Sequence, residues 1–379
     1  MNIDFLMCKK KRVTLDLNRE ELSMLIAGKS RMGKTYFMSL YGADLIKRNT
    51  VVHLIDLGDK WSENDKKRIG IQESINVATG IKLYFPSQES LQGCARYLVT
   101  TLGYSSGKMV EVVKTIMKYL SKEKPCGFSL ADLKEGLKKQ DSVLEAQKLY
   151  DRFDCILELP EIFFCVNDSV AKTLAEKSII WDLAGCEDWS GCMVSQLIIY
   201  NLFELKKVQF RYKYEGKKVF IFVDEFQNLE CQQRSIIGKC LTEGQKYGIY
   251  MVLATQFLQG KFSDAVINQI KQGGFQIYFR MTEEEAGKVA RELEYLADKQ
   301  NVLKDLLSKL PVGQFLLKGP HKIEGCNEVT ERLRLVSVQE KKMKKIIFQC
   351  NPVLSQQPNR PILCNRNTNI EKKTNSRSN

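Results

Sequence analysis

Residues 28–35 read Gly28-Lys29-Ser30-Arg31-Met32-Gly33-Lys34-Thr35, the pattern G-x4-G-K-[ST]. This is the phosphate-cradling P-loop, or Walker A motif, and it works only between a strand and a helix. Both flanks are right. Leu22 to Ala27 is an apolar run of strand length, and Thr35 to Arg48 carries a broad apolar face at helical spacing. Gly28 and Gly33 allow backbone N–H groups to turn toward phosphate oxygens, and the helix N-terminus adds partial positive charge. Lys34 is placed to reach the outer phosphates and Thr35 to ligate Mg²⁺. Residues 28–35 together are the expected nucleotide-binding loop.

The first 20 residues read as a short strand pair leading into the core, and a second buried strand follows the P-loop helix at Thr50–Asp56. Leu91, Cys94, Ala95, Leu98, Val99 and Leu102 then keep helical spacing, as do Val110, Val113, Met117 and Leu120. Residues 87–165 read as a helical insertion. Further apolar strands are expected at 178–183, 218–225, 248–256, 274–280 and 313–318, with a long amphipathic helix over 190–210. Apolar strands alternating with helices imply an α/β fold: a mostly parallel sheet with helices on both faces. The expected organisation is an N-terminal part of the core (1–86), the helical insertion (87–165), a C-terminal part of the core (166–320) and a basic, largely disordered tail (321–379).

Four hydrophobes, Phe220 to Val223, end in Asp224-Glu225. This is the Walker B pattern, and strand carboxyl ends are where open α/β sheets bind ligands. Asp224 is the expected second holder of Mg²⁺, and Glu225 the general base that activates water. A helix-capping acid pair is the plainer alternative. Gln256 closes the Ala254-Thr255-Gln256 strand beside this site, where a polar group can respond to a γ-phosphate. Asp56 and Asp182 also end strands; either they line the site or they are structural turn acids.

Net charge is +13. From Lys341 onward, nine Lys or Arg stand against a single acid, Glu371, in a Ser/Asn/Gln/Pro-rich stretch. Such a segment suits an acidic partner, nucleic acid above all, or serves only as a solubilising end. Twelve cysteines show no C-x2-C pair, and with His53 and His321 as the sole histidines a zinc site is not expected. The cysteines fit a reducing, cytoplasmic setting. No apolar run reaches the roughly 18 residues of a membrane-spanning helix, and the first residues do not read as a signal peptide.

The P-loop, the long insertion, "IIWDLAG" (179–185), "VFIFVDEFQNL" (219–229), "LTEGQKYGIYMVLATQ" (241–256), "FQIYFRMTEEE" (275–285) and "LPVGQFLLKG" (310–319) together resemble the HerA/FtsK superfamily of ATPase motors. The resemblance covers about residues 20–320. It implies a RecA-like core, ATP and Mg²⁺ as ligands, hexameric rings with ATP between subunits, and roles for Lys34, Thr35, Asp224, Glu225 and Gln256 as above. A DNA translocase is the leading implication. The alternatives are the ATPase of a conjugation, type IV secretion or viral packaging apparatus, or a nucleotide-gated assembly switch in a defence or mobile-element complex. A partner nuclease or secretion complex would accompany these. A kinase fits less well, because the Asp-Glu ending suits attack by water.

Two departures stand out. The superfamily reads Glu-Gly-Arg-Lys where this chain has Glu243-Gly244-Gln245-Lys246. That Arg acts across the subunit boundary in several members, which leaves Lys246, Arg234 and Arg280 as the replacements to consider. The few residues ahead of the P-loop strand also leave no room for a β-barrel or membrane anchor, so a bare motor domain is expected.

Overall fold

The computed structural model describes residues 6–338, apart from 9–10, 58–60, 141, 154–160, 167–173, 187, 214–215, 230–234, 259–263, 295 and 327. The chain opens with β1 (Leu6–Cys8) and β2 (Lys11–Leu15), paired antiparallel as the sequence suggests. The P-loop strand β3 (Met24–Ala27) leads into α1 (Lys34–Lys47), followed by β4 (Val51–Asp56), α2 (Glu63–Ile69) and β5 (Glu73–Asn76). After the insertion come β9 (Ile179–Asp182), α8 (Asp188–Arg211), β10 (Val219–Val223), α9 (Ile236–Glu243) and β11 (Ile249–Thr255). The core continues with α10 (Asp264–Lys271), β12 (Phe275–Tyr278), α11 (Glu283–Leu293), α12 (Ala297–Lys309) and β13 (Gln314–Lys318).

Seven strands run parallel in the order β12-β3-β11-β10-β4-β9-β5. Every residue of β3, β4, β10, β11 and β12 is buried, as strands covered on both faces require. Their side chains alternate between two cores. Met24, Ile26, Val52, Leu54, Phe220 and Phe222 face α1 through Phe37 and Tyr41. Leu25, Val51, Ile55, Val219, Ile221 and Met251 face α8 through Leu197, Ile198 and Phe203.

The insertion is not helical throughout. Its helices are α3 (Gln88–Gly93), α4 (Ala95–Thr101), α5 (Gly107–Glu123), α6 (Leu130–Lys138) and α7 (Leu144–Phe153). They pack with three short strands, β6 (Ile81–Phe85), β7 (Phe128–Ser129) and β8 (Ile162–Val166), in the order β6-β8-β7. The strands close off the apolar faces of α3 and α6 with Leu83, Phe85, Phe128 and Phe164.

The other half of the large sheet is antiparallel. Two strands lie beyond residue 320: β14 (His321–Ile323) and β15 (Arg334–Val338). β15 sits between β13 and β1, and β14 pairs with β2. β14 and β15 therefore belong to the sheet and not to a tail. The reason is pairing: β1 and β2 give a late, half-polar segment an edge to complete. Residues 339–379, which hold the cation-rich stretch, lie outside the described residues. No helix among the described residues is long and apolar enough to cross a membrane.

Candidate nucleotide site

Register brings four strand ends together. Ala27 of β3 is level with Thr255 of β11 and Tyr278 of β12, and Leu253 of β11 with Val223 of β10. The segments that leave these ends, 28–33, 224–225, 256 and 279–280, converge at one point. That point is the crevice at the carboxyl edge of the parallel sheet.

The loop is pinned by backbone. Gly28 N donates to Thr255 O (3.1 Å), Lys29 N to Arg280 O (2.7 Å), and Gly313 N to Met32 O (3.0 Å). Gly28 has φ of +149° and runs so near β12's exit that a Cβ would lie 2.6 Å from Phe279 Cβ. Gly33, at φ of +104°, turns the chain into α1 in a left-handed conformation open to glycine. No side chain caps α1, and its first turn holds no acid. The first-turn N–H groups thus keep their capacity for an anion.

Lys34 is 5% exposed, and its ammonium donates to Gly28 O (2.8 Å) and Lys29 O (3.2 Å). Burial pushes its pKa below the ordinary lysine value, opposed by the charges of Asp224 and Glu225. Thr35 Oγ1 donates to Asp224 Oδ2 at 2.6 Å. Burial raises the Asp224 pKa, as does the neighbouring Glu225 charge, while the Thr35 hydrogen bond and Lys34 hold it back. The residues present fit a magnesium nucleotide. Two hard oxygens converge from separate motifs, beside a buried ammonium and an uncapped helix end. Residues 28–35 could hold the phosphates, and Thr35 with Asp224 could hold the metal.

Glu225 occupies a left-handed backbone conformation (φ +58°, ψ +42°), uncommon for a side chain with a Cβ. Its N–H donates to Asp224 Oδ1 (3.0 Å). Its carboxylate accepts from Gln256 Nε2 at 2.5 Å and from Gln227 Nε2. Strain of this kind persists only where surrounding structure holds it, and here two amides do so.

The sequence singled out Gln256 but not Gln227, whose place two residues beyond the acid pair was the available signal. Asp56 and Asp182 do not join the cluster. Lys66 bridges them, with Nζ 2.9 Å from Asp56 Oδ2 and 3.7 Å from Asp182 Oδ2. Burial works against the Lys66 charge, but the Asp56 hydrogen bond and both carboxylates raise its pKa. Asp182 also accepts from Ala184 N, a turn contact.

The candidate replacements for the absent Arg are spread out. Gln245 Nε2 donates to Glu20 (3.3 Å), and Lys246 Nζ stands 5.7 Å from the Phe210 and Tyr247 rings. Arg280 lies in the same subunit's loop, its Nε 2.9 Å from Met32 Sδ. Arg234 lies outside the described residues.

Comparison with family models and with curated proteins returns no match. Solved structures do match. VirB4 of Thermoanaerobacter pseudethanolicus is similar at 13% identity over 84% of this chain and 90% of that one, with a TM-score of 0.57. The plasmid coupling protein TrwB in complex with the non-hydrolysable ATP analogue ADPNP matches at 11% identity, over 88% of each chain, with a TM-score of 0.60. TrwB in complex with ADP and Mg²⁺ matches at 12% identity, over 84% of this chain and 85% of that one, with a TM-score of 0.58. At such identities the likeness speaks for architecture: the chain has the α/β, RecA-like P-loop NTPase fold that it shares with VirB4 and TrwB.

Proposed function

We propose that this chain is an ATP-hydrolysing ring motor of the HerA/FtsK type that moves DNA. The observation that carries the reading is the convergence of Lys34, Thr35, Asp224 and Glu225 at one strand edge, with the Glu225 carboxylate held by Gln227 and Gln256.

In this reading residues 28–35 wrap the triphosphate of ATP through backbone N–H groups and the Lys34 ammonium. Thr35 and Asp224 hold Mg²⁺, which when bound neutralises charge on the phosphate oxygens. Glu225 orients the attacking water and accepts its proton. Gln256 and Gln227 keep that carboxylate in one position, so proton acceptance needs no reorientation of the base. Gln256, hydrogen-bonded to the base from the next strand, is placed to couple the occupant of the site to β11. Hexameric assembly would bring a neighbour's cation to the phosphates in place of the absent Arg. The net charge of +13 and the cation-rich stretch from Lys341 onward support a nucleic-acid track.

The second reading is the ATPase of a conjugation or secretion apparatus, favoured by the fold likeness to VirB4 and to the coupling protein TrwB. One experiment separates these from an assembly switch: ATP turnover alone, with duplex and with single-stranded DNA, together with particle images. A motor gives DNA-stimulated turnover and a six-fold ring. Turnover indifferent to DNA would remove the translocase reading, and a ring with no turnover would favour the switch.

A further inference from the structure

A second cluster of cations stands apart from the P-loop. Where α3, α4 and α5 meet α8, a pocket of about 300 Å³ is lined by Arg96, Lys114, Lys207, Arg211 and Lys239. These five come from four helices, α4, α5, α8 and α9. The acids of the lining are Glu89 and Glu204. Glu204 is buried and already engaged: its carboxylate accepts from Ser90 Oγ (3.0 Å) and Lys207 Nζ (3.1 Å). Lys114 is paired with Glu111. Arg96 and Arg211 are exposed and have no ion pair among the described residues. With Lys114 and Lys207 paired to Glu111 and Glu204, Arg96, Arg211 and Lys239 are the cations whose mutual repulsion an anionic ligand would relieve.

Beside the pocket, Phe210 lies on α8 between the lining residues Val208 and Arg211, and a series of contacts runs behind it through the fully buried Phe203. Lys239 Nζ lies 4.8 Å from the Phe203 ring centroid. Phe203 meets Tyr247 edge-on at 5.3 Å, and Tyr247 meets Phe210 edge-on at 5.5 Å. Lys246 stands over both of the last two rings. Phe210 is 50% exposed and Tyr212 66%, high values for rings of this size at the end of a long helix. The surface lies away from the nucleotide crevice. Arg211 is at the C-terminal end of α8, and Tyr247 shortly precedes β11, so both sit at the edge of the parallel sheet opposite to Lys34.

We propose that this pocket and the adjoining Phe210 ring grip a single nucleic-acid strand, phosphates in the cation pocket and a base against Phe210. Cations that follow a backbone, interleaved with exposed aromatic faces, are the chemistry of strand binding without sequence preference. A duplex keeps its bases stacked inside and offers the ring nothing, so the exposed Phe210 favours a single strand. The inference rests on the DNA reading above and adds to it which form of DNA is held, and where.

The test is fluorescence anisotropy of the full chain with labelled oligo-dT and with a duplex of equal length, over a salt series. Three variants are compared: Arg96→Glu with Arg211→Glu, Arg96→Gln with Arg211→Gln, and Phe210→Ala. Basal ATP turnover and a melting curve are measured alongside, and each variant should keep both. Charge reversal should weaken oligo-dT binding at least tenfold. It should also flatten the salt slope by about 1.4, at ~0.7 for each single-strand phosphate left without its cation. The Gln pair, which alters shape least, should show the same slope change with a smaller loss of affinity. Phe210→Ala should cost about tenfold on oligo-dT and little on duplex. Wild-type binding that none of the variants alters would overturn the pocket and leave the DNA motor standing. A wild-type chain that hydrolyses ATP but binds no DNA would overturn both. Variants that dissociate the ring yet bind oligo-dT as wild type would overturn strand binding here and show instead that a second copy of the chain covers this surface.

Discussion

Glu225 Oε1 accepts a 2.5 Å hydrogen bond from Gln256 Nε2, a contact that ties the end of β10 to the end of β11. Gln227 holds the same carboxylate from the other side of a left-handed backbone turn. Glu225→Gln keeps the shape and most of this bonding but removes the base. Turnover should fall by about 10²–10⁴-fold while nucleotide binding persists. A fall of less than a few-fold, read in a coupled ATPase assay, would make Glu225 a structural residue.

If the two amides position the base, each should matter through it. Gln256→Leu and Gln227→Leu should each lower kcat by roughly tenfold or more with little change in KM, since a small displacement of a reacting group is costly. In a Glu225→Gln background, either further change should have almost no effect on kcat. Additive losses there would mean the amides act on something other than Glu225.

Lys34 sits buried with its ammonium spent on two loop carbonyls. Lys34→Ala should abolish tight ATP binding and turnover, checked with a fluorescent ATP analogue. Unchanged hydrolysis would overturn the P-loop assignment.

His53, in β4, is fully buried and accepts from Trp181 Nε1 at 3.2 Å. Burial pushes its pKa down to about 3 from 6.5. Between these values the unfolded chain takes up a proton that the folded chain refuses. Stability should therefore fall as pH drops below 6.5, by roughly 1.4 kcal/mol per pH unit from this group. His53→Gln retains an acceptor for Trp181 and loses the titration. Urea melts at pH ~7 and ~5 should show a smaller loss for the variant than for wild type. Equal losses would place the acid sensitivity elsewhere.

Residues 351–379 contain Arg360, Arg366, Lys372, Lys373 and Arg377. Deleting them should leave the melting curve unchanged, since the segment has little apolar surface to bury. If they bind duplex DNA, the salt slope should flatten by about 0.9 for each phosphate no longer neutralised. Unchanged affinity and slope would make the segment a solubiliser. Aggregation of the truncated chain would show that it packs against a neighbouring subunit.

Much of the core was legible because its signals are local. β3, β10 and β11 are continuous apolar runs that end in recognisable residues, and α4 and α5 keep their helical spacing. The strands missed, β5, β6, β7, β8, β14 and β15, are two to five residues long and sit at sheet edges or in the small sheet, or are completed by a distant partner. So short a segment carries too few periods to register against its neighbours.

The P-loop and the Walker B pair are each written in consecutive residues, so both can be read without a fold. How they meet is a matter of packing. The Thr35–Asp224 bond spans 189 positions and follows from the parallel register of β3, β11 and β10. The capture of Asp56 and Asp182 by Lys66, the left-handed turn at Glu225 and the pairing of residues 334–338 with β1 and β13 are likewise non-local. Each depends on which surfaces the folded chain brings together, and local propensity carries no record of that.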